Sequence, residues 1–318
     1  MQIEYDGITI RNAFGEAAYD YAMEDESVFF ICPDTMKSMG LLKVERDFPK
    51  RCYNVGICEQ NAMLMGCGIA SCGGKAFVGT YAPFASMRML EQVRTFCAYP
   101  NLDVKVVSCM SGLSGGNEGV THQGLEDISL LRSIANMVVA VPADAESAKV
   151  ITKEIAKYKG PAYLRIAKLQ CPKVFDKGYK FSIGKANPIK KGKDATIIFL
   201  GITAIKVIEA EDILAQRGFD VGLIEMPCVK PIDEEAVIEA AKSTRAIITV
   251  EDNTIIGGLG GAVAEVLSEN YPVLLKRIGI EDCYAESGDE NDLLNKYGMS
   301  ATSIADKVEK LMKKKISF

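Results

Sequence analysis

Short runs rich in β-branched and aromatic residues alternate with longer helical stretches along almost the whole chain, and this alternation restricts the fold more than any other feature. Val28–Cys32, Lys75–Thr80, Val104–Cys109, Met137–Val141 and Ala162–Ile166 read as buried strands. Phe14–Met23, Glu59–Ala70, Phe84–Ala98, Leu125–Ile134 and Asp144–Lys157 read as helices between them. After Lys173 the sequence loosens into VFDKGYKFSIGKANPIKKGKD, rich in Lys, Gly and Pro. The pattern then resumes, with strands at Ala195–Leu200, Val221–Glu225, Ala246–Val250 and Val273–Ile278. Helices are expected near Thr203–Arg217, Asp233–Ser243, Leu259–Asn270, Asp289–Lys296 and Ser303–Lys313. Strands separated by helices imply βαβ units and mostly parallel sheets covered on both faces. At 318 residues the chain is also about twice a usual domain length. The reading is therefore two α/β domains with mostly parallel sheets, residues 1–177 and 178–318, with a boundary near Lys177. Asp144 and Asp233, each two residues after a proline, are expected N-caps.

Composition narrows the function. Net charge is −5, and the only basic run is Lys313–Lys315, which suits the C-terminal end of a last helix. That argues against nucleic-acid or anionic-membrane partners. The N-terminus lacks a signal-peptide layout and no apolar run reaches a membrane span, so a cytoplasmic location is expected. The chain has one histidine, His122, which excludes any site needing two from this subunit. None of its ten cysteines forms a CxxC pair, and most lie in apolar segments as small hydrophobes. Cys67 and Cys72 are the best redox exception.

In open α/β sheets, ligands bind beyond the carboxyl ends of the strands. Tyr53–Ala70 is informative on that ground: a short strand expected to end near Ile57 runs straight into a helix starting at Glu59. Ala62, Gly66, Gly68 and Ala70 then allow close packing. By itself, Glu59 is equally an ordinary acidic residue in a first helical turn. Gly257–Gly261 opens a later helix, but it lacks the full dinucleotide pattern and reads as tight helix–strand packing.

Several motifs occur in order: Asn54-Val-Gly-Ile-Cys-Glu59-Gln-Asn, Thr80-Tyr-Ala-Pro-Phe84, Gly119-Val-Thr-His122-Gln, Val141-Pro-Ala-Asp144, Gly257–Gly261 and Glu286-Ser-Gly288. With them the chain, from about Arg11 to Lys313, resembles the C-terminal half of a transketolase in its split, two-subunit form. The resemblance implies a pyrimidine-binding domain followed by a transketolase C-terminal domain, with thiamine diphosphate as cofactor. It implies that Glu59 hydrogen-bonds N1′ of the aminopyrimidine, that Tyr81 and Phe84 wall the ring, and that Asp34 lies near it. His122 would contact the donor's oxygens. Glu118 stands where aspartate is usual for recognising a sugar hydroxyl. Arg11 and Ser38 match positions that grip a distal phosphate, whereas Met110 replaces a histidine and Lys168 an arginine in that grip. Lysine keeps the charge but loses the bidentate fork. No Gly-Asp-Gly motif is present, so Mg2+ and the cofactor's diphosphate are expected on a partner, the N-terminal transketolase subunit, with two copies of each chain. The expected reaction moves a two-carbon ketol unit from a ketose to an aldose. Three alternatives stay open: the β subunit of a 2-oxo acid dehydrogenase, a deoxyxylulose-phosphate-synthase-like condensation, and a noncatalytic α/β scaffold subunit.

Overall fold

The computed structural model describes residues 7–168 and 171–316, arranged around two sheets. Six strands of the first half are β1 (Val28–Cys32), β2 (Cys52–Asn54), β3 (Lys75–Tyr81), β4 (Val104–Cys109), β5 (Val138–Ala140) and β6 (Ala162–Arg165). The second half supplies β7 (Asn187–Lys190), β8 (Ala195–Phe199), β9 (Val221–Glu225), β10 (Cys228–Lys230), β11 (Ala246–Thr254) and β12 (Leu274–Ile280). The seven-stranded sheet runs β10-β5-β6-β4-β3-β1-β2 and the five-stranded one β12-β11-β8-β9-β7. Every pairing is parallel except β10 on β5 and β7 on β9.

Those two antiparallel edges were not legible in the sequence. β7 is short and largely exposed, and β10 is three residues long, leaving the second half of the chain to close the first sheet. The core is likewise shared. One apolar cluster runs from Val78 and Val106 through to Ile198, Leu259 and Val263. The expected caps form: Asp144 accepts from the Ser147 N–H at 2.9 Å and Asp233 from the Ala236 N–H at 3.2 Å. Each is worth about 1 kcal/mol. Each also pins the connecting segment, Asp144 through the amides of Val174 and Phe175 and Asp233 through that of Ala186.

The strand order places the site. β1 lies between β2 and β3, so the chain leaves β1 towards one side and later returns on the other. Such a reversal opens a crevice at the strands' carboxyl ends. Asp34, Glu59, Tyr81 and Met110 follow or end β1, β2, β3 and β4 in turn. Among the described residues no helix is long and apolar enough to cross a membrane.

Candidate active site

Glu59 is the first residue of the helix Glu59–Ser71, and the strand before it, β2, stops at Asn54 rather than near Ile57 as expected. The helix can sit close to the sheet because of Gly66: a Cβ there would fall 2.6 Å from Val78 Cγ2. Gly68, by contrast, faces open space. Glu59 is 3% exposed. Its carboxylate accepts from Arg88 Nη1 at 2.7 Å. The Arg88 guanidinium carbon also lies 4.2 Å from the Phe84 ring centroid, a cation–π contact. Arg88 was missed in the sequence. Phe84–Arg88 forms a wide π-type turn in which Arg88, four residues on, lies over Phe84 and reaches Glu59.

Tyr81, Phe84 and His122 form one aromatic cluster. Both tyrosine and phenylalanine ring centroids lie 5.4 Å from the imidazole, the phenylalanine edge-on. Tyr81 and Phe84 are 5.9 Å apart. Thr121 Oγ1 is hydrogen-bonded to His122 Nδ1 at 2.9 Å, which leaves Nε2 for another partner. The Tyr81 hydroxyl shares a hydrogen bond with Ser38 Oγ at 2.8 Å. Ser38 therefore extends the cluster towards Gly40 and Arg11, which pack together.

A second group gathers past β4. Burial pushes the Cys109 thiol up to about 11, while Arg11 and Lys168 pull it down and Glu118 pushes it up. Lys168 Nζ donates to Glu118 Oε1 at 2.7 Å, with both side chains about one-third exposed. The buried Arg11 Nε has no hydrogen-bond partner. Met110 is buried with φ +56°, a left-handed conformation unusual for methionine. Asp34 stands apart: it is exposed, with φ +61°, and exchanges two hydrogen bonds with the Asn54 side chain.

Two other expectations meet the structure here. Glu251, buried beneath the helix Leu259–Asn270, accepts the Leu259 and Gly260 N–H groups at 2.8 and 2.7 Å. The glycine run is thus close packing onto a carboxylate, since a Cβ at Gly258 would sit 2.0 Å from Glu251 Oε2. Six of the ten cysteines are buried, but Cys58, Cys72 and Cys283 are exposed, against the apolar reading. Buried Cys67 has buried Cys97 as its thiol neighbour, whereas Cys72 is exposed.

Two family models match the chain: the transketolase pyrimidine-binding domain over residues 6–173 and the transketolase C-terminal domain over residues 184–304. The chain belongs to the transketolase family. Among relatives of this transketolase-family chain is a 6-deoxy-6-sulfo-D-fructose transketolase subunit from Clostridium sp. (strain MSTE9), 32% identical over 96% of this chain and 95% of that one. Another is one of the subunits of an apulose-4-phosphate transketolase from Phocaeicola vulgatus, 33% identical over 96% of this chain and 98% of that one. Of solved structures, a split-gene transketolase described as an inactive β4 tetramer has a TM-score of 0.88 and 37% identity. It covers 96% of this chain and 99% of its own.

Proposed function

We propose that this chain is the pyrimidine-binding and C-terminal subunit of a two-subunit transketolase, divided into its domains near Lys177. It would work in the cytoplasm with an N-terminal partner, two copies of each. The observation that carries the reading is a nearly fully buried carboxylate, Glu59, beside an aromatic pair and the chain's one histidine at a strand-order reversal. That donor set fits thiamine diphosphate: a carboxylate can exchange a proton with a ring nitrogen, and flat aromatic faces suit a flat heterocycle. When bound, the cofactor supplies the carbanion chemistry of ketol transfer. Mg2+ and the diphosphate would be held by the partner.

The chain's own residues have distinct tasks. Glu59 holds a proton at N1′ of the aminopyrimidine. Tyr81 and Phe84 exclude water from the ring, and Asp34 lies at the crevice's outer edge. His122, with Nδ1 occupied by Thr121, offers Nε2 to a donor oxygen and can move a proton there. Ser38, Arg11, Lys168 and Glu118 bind the donor beyond its reacting carbons. The relatives' names include a sulfonated and a phosphorylated sugar, which supports a donor with an acidic end.

The test mixes this chain with its N-terminal partner, thiamine diphosphate and Mg2+, and follows cleavage of phosphorylated, sulfonated and neutral ketoses by mass spectrometry. Two-carbon transfer needing both chains, and lost by about a hundredfold or more in Glu59→Gln, is the expected result. Unchanged turnover in Glu59→Gln would remove its cofactor role. Turnover of pyruvate alone would move the chain to the synthase or oxo-acid branch. No turnover of any donor by an assembled, cofactor-loaded complex would favour a noncatalytic scaffold.

A further inference from the structure

The loop that carries His122, residues 111–123, belongs to the first domain by sequence and starts on it, Ser111 Oγ donating to the Ile166 carbonyl at 3.0 Å, yet further anchors lie in the second domain. Leu113 and Leu125, both buried, sit in the apolar cluster of Phe199, Val250 and Ile280. Gly112, at φ +57°, lies so close to β11 that a Cβ would fall 1.8 Å from Asp252 Oδ2 and 2.5 Å from the Asp252 carbonyl oxygen. Gln123 is 2% exposed, and its Nε2 donates to the Glu286 carbonyl at 2.9 Å and the Gly116 carbonyl at 3.4 Å. The Gly288 N–H also donates to the Gly116 carbonyl, at 3.4 Å. A Cβ at Gly119 would lie 2.5 Å from Ser287 Oγ. The Glu286 side chain is itself held by Lys296.

The loop's own turns cannot do this work. The bonds Gly112 to Gly124, Gly119 to Gly116 and His122 to Gly119 shape the loop internally, but they do not place it against Tyr81 and Phe84. The contacts to Asp252 and residues 286–288 fix it from outside.

We infer that the second domain is a positioning element for His122: residues 286–288 and Asp252 hold the loop so that the imidazole faces the aromatic pair, and Gln123 is the side chain that bolts it. This gives the Glu286-Ser-Gly288 motif a task. The catalytic half of the inference rests on the proposed contact between His122 and the donor. Holding a reacting group within a fraction of an ångström matters because a 1 Å displacement can cost about a hundredfold in rate.

The test is Gln123→Met in the full chain, which keeps the side chain's length and removes both donated hydrogen bonds. Amides of residues 116–122 should exchange with deuterium about tenfold faster than in the parent, with the melting temperature moved by no more than about 4 °C. In the complex with the N-terminal partner, kcat should fall about tenfold or more. Affinity for thiamine diphosphate should stay unchanged, because Glu59, Tyr81 and Phe84 are untouched. Parental exchange rates, a loosened loop with full kcat, or a loss of cofactor affinity matching the loss of turnover would each overturn the inference. If the parent complex moves no ketol unit, the proposed function fails instead, and the exchange rates alone decide whether the second domain holds the loop.

Discussion

Replacing Arg165 by methionine tests the joint on which the two domains meet. Arg165, at the end of β6, is 3% exposed. Its Nε donates to Asp127 Oδ2 and its Nη1 to Asp252 Oδ1, both at 2.8 Å. Nη2 reaches the carbonyls of Gly124 and Asp252 at 3.2 and 3.1 Å. Methionine would fill the stem's volume but strand two buried carboxylates, and breaking one buried pair this way costs about 3–5 kcal/mol. One guanidinium serves both, so the losses share a cause and should not double. The effect must depend on pH. Burial already raises the Asp252 carboxyl above its ordinary range while Arg165 pulls it down, so removing Arg165 raises it further. A carboxyl raised in the folded state contributes stability below its unfolded value, near 4, and loses it as pH rises through the folded value. The variant should therefore be nearest to the parent at the acid end, near pH 4, and fall progressively further behind as pH rises. Urea unfolding followed by far-ultraviolet circular dichroism measures this, as the chain has no tryptophan. A deficit below about 1 kcal/mol, or one that does not change with pH, would refute the electrostatic account.

Two further perturbations have defined outcomes. Glu225 is pushed up to about 8 by burial, with Asn187 and Tyr179 hydrogen-bonding it; its stabilisation should fade as pH rises from about 4.5 to 8, on the order of 3–5 kcal/mol in all. Glu225→Gln should flatten that slope in melting temperatures taken across the range, and a parallel slope in both proteins would place the titration elsewhere. Arg88→Met releases the Glu59 carboxylate and the Phe84 face together, at a cost to the free chain of about 1–2 kcal/mol because Arg88 is half exposed. Calorimetry on the assembled complex should show thiamine diphosphate binding several-fold tighter, since a ring using both groups must move the guanidinium; weaker binding would mean that Arg88 instead supports the bound ring.

The parts legible in the sequence were those set by local pattern. Val28–Cys32, Val104–Cys109, Val221–Glu225 and the helix Leu259–Asn270 stand where their apolar periodicity puts them. Glu59 and Phe84 could be singled out because short motifs carry them. What stayed hidden is nonlocal. β10 is defined by its pairing with β5 across the chain rather than by its three residues. Arg88 reaches Glu59 across 29 positions, a contact that the spacing within its own segment does not record. The tie from Gln123 to Glu286 spans 163 positions, and no periodicity records it.

At the distal end of the proposed donor site, magnitudes rank the departures from the family pattern. The Lys168–Glu118 pair is short but about one-third exposed, so opening it costs at most about 1 kcal/mol. A charge-assisted hydrogen bond from that lysine to an acidic group returns about 1.5–3 kcal/mol, enough to redirect it. On the proposed function Glu118 would therefore be a resting partner for Lys168 rather than a barrier, and the buried Arg11 Nε, which lacks a partner, would be a further donor. Met110 is the costlier departure: its buried thioether cannot donate, and no rearrangement of neighbours restores the missing bond. On the proposed function the site would still draw an acidic donor end but grip it with one contact fewer, about tenfold in affinity. Such a loss is felt most by a donor whose recognition depends on a fully ringed phosphate, and least by one whose acidic group carries a single charge. The donor panel should accordingly separate sulfonated from phosphorylated ketoses by KM more than by kcat, because contacts to the donor's acidic end would act on ground state and transition state alike.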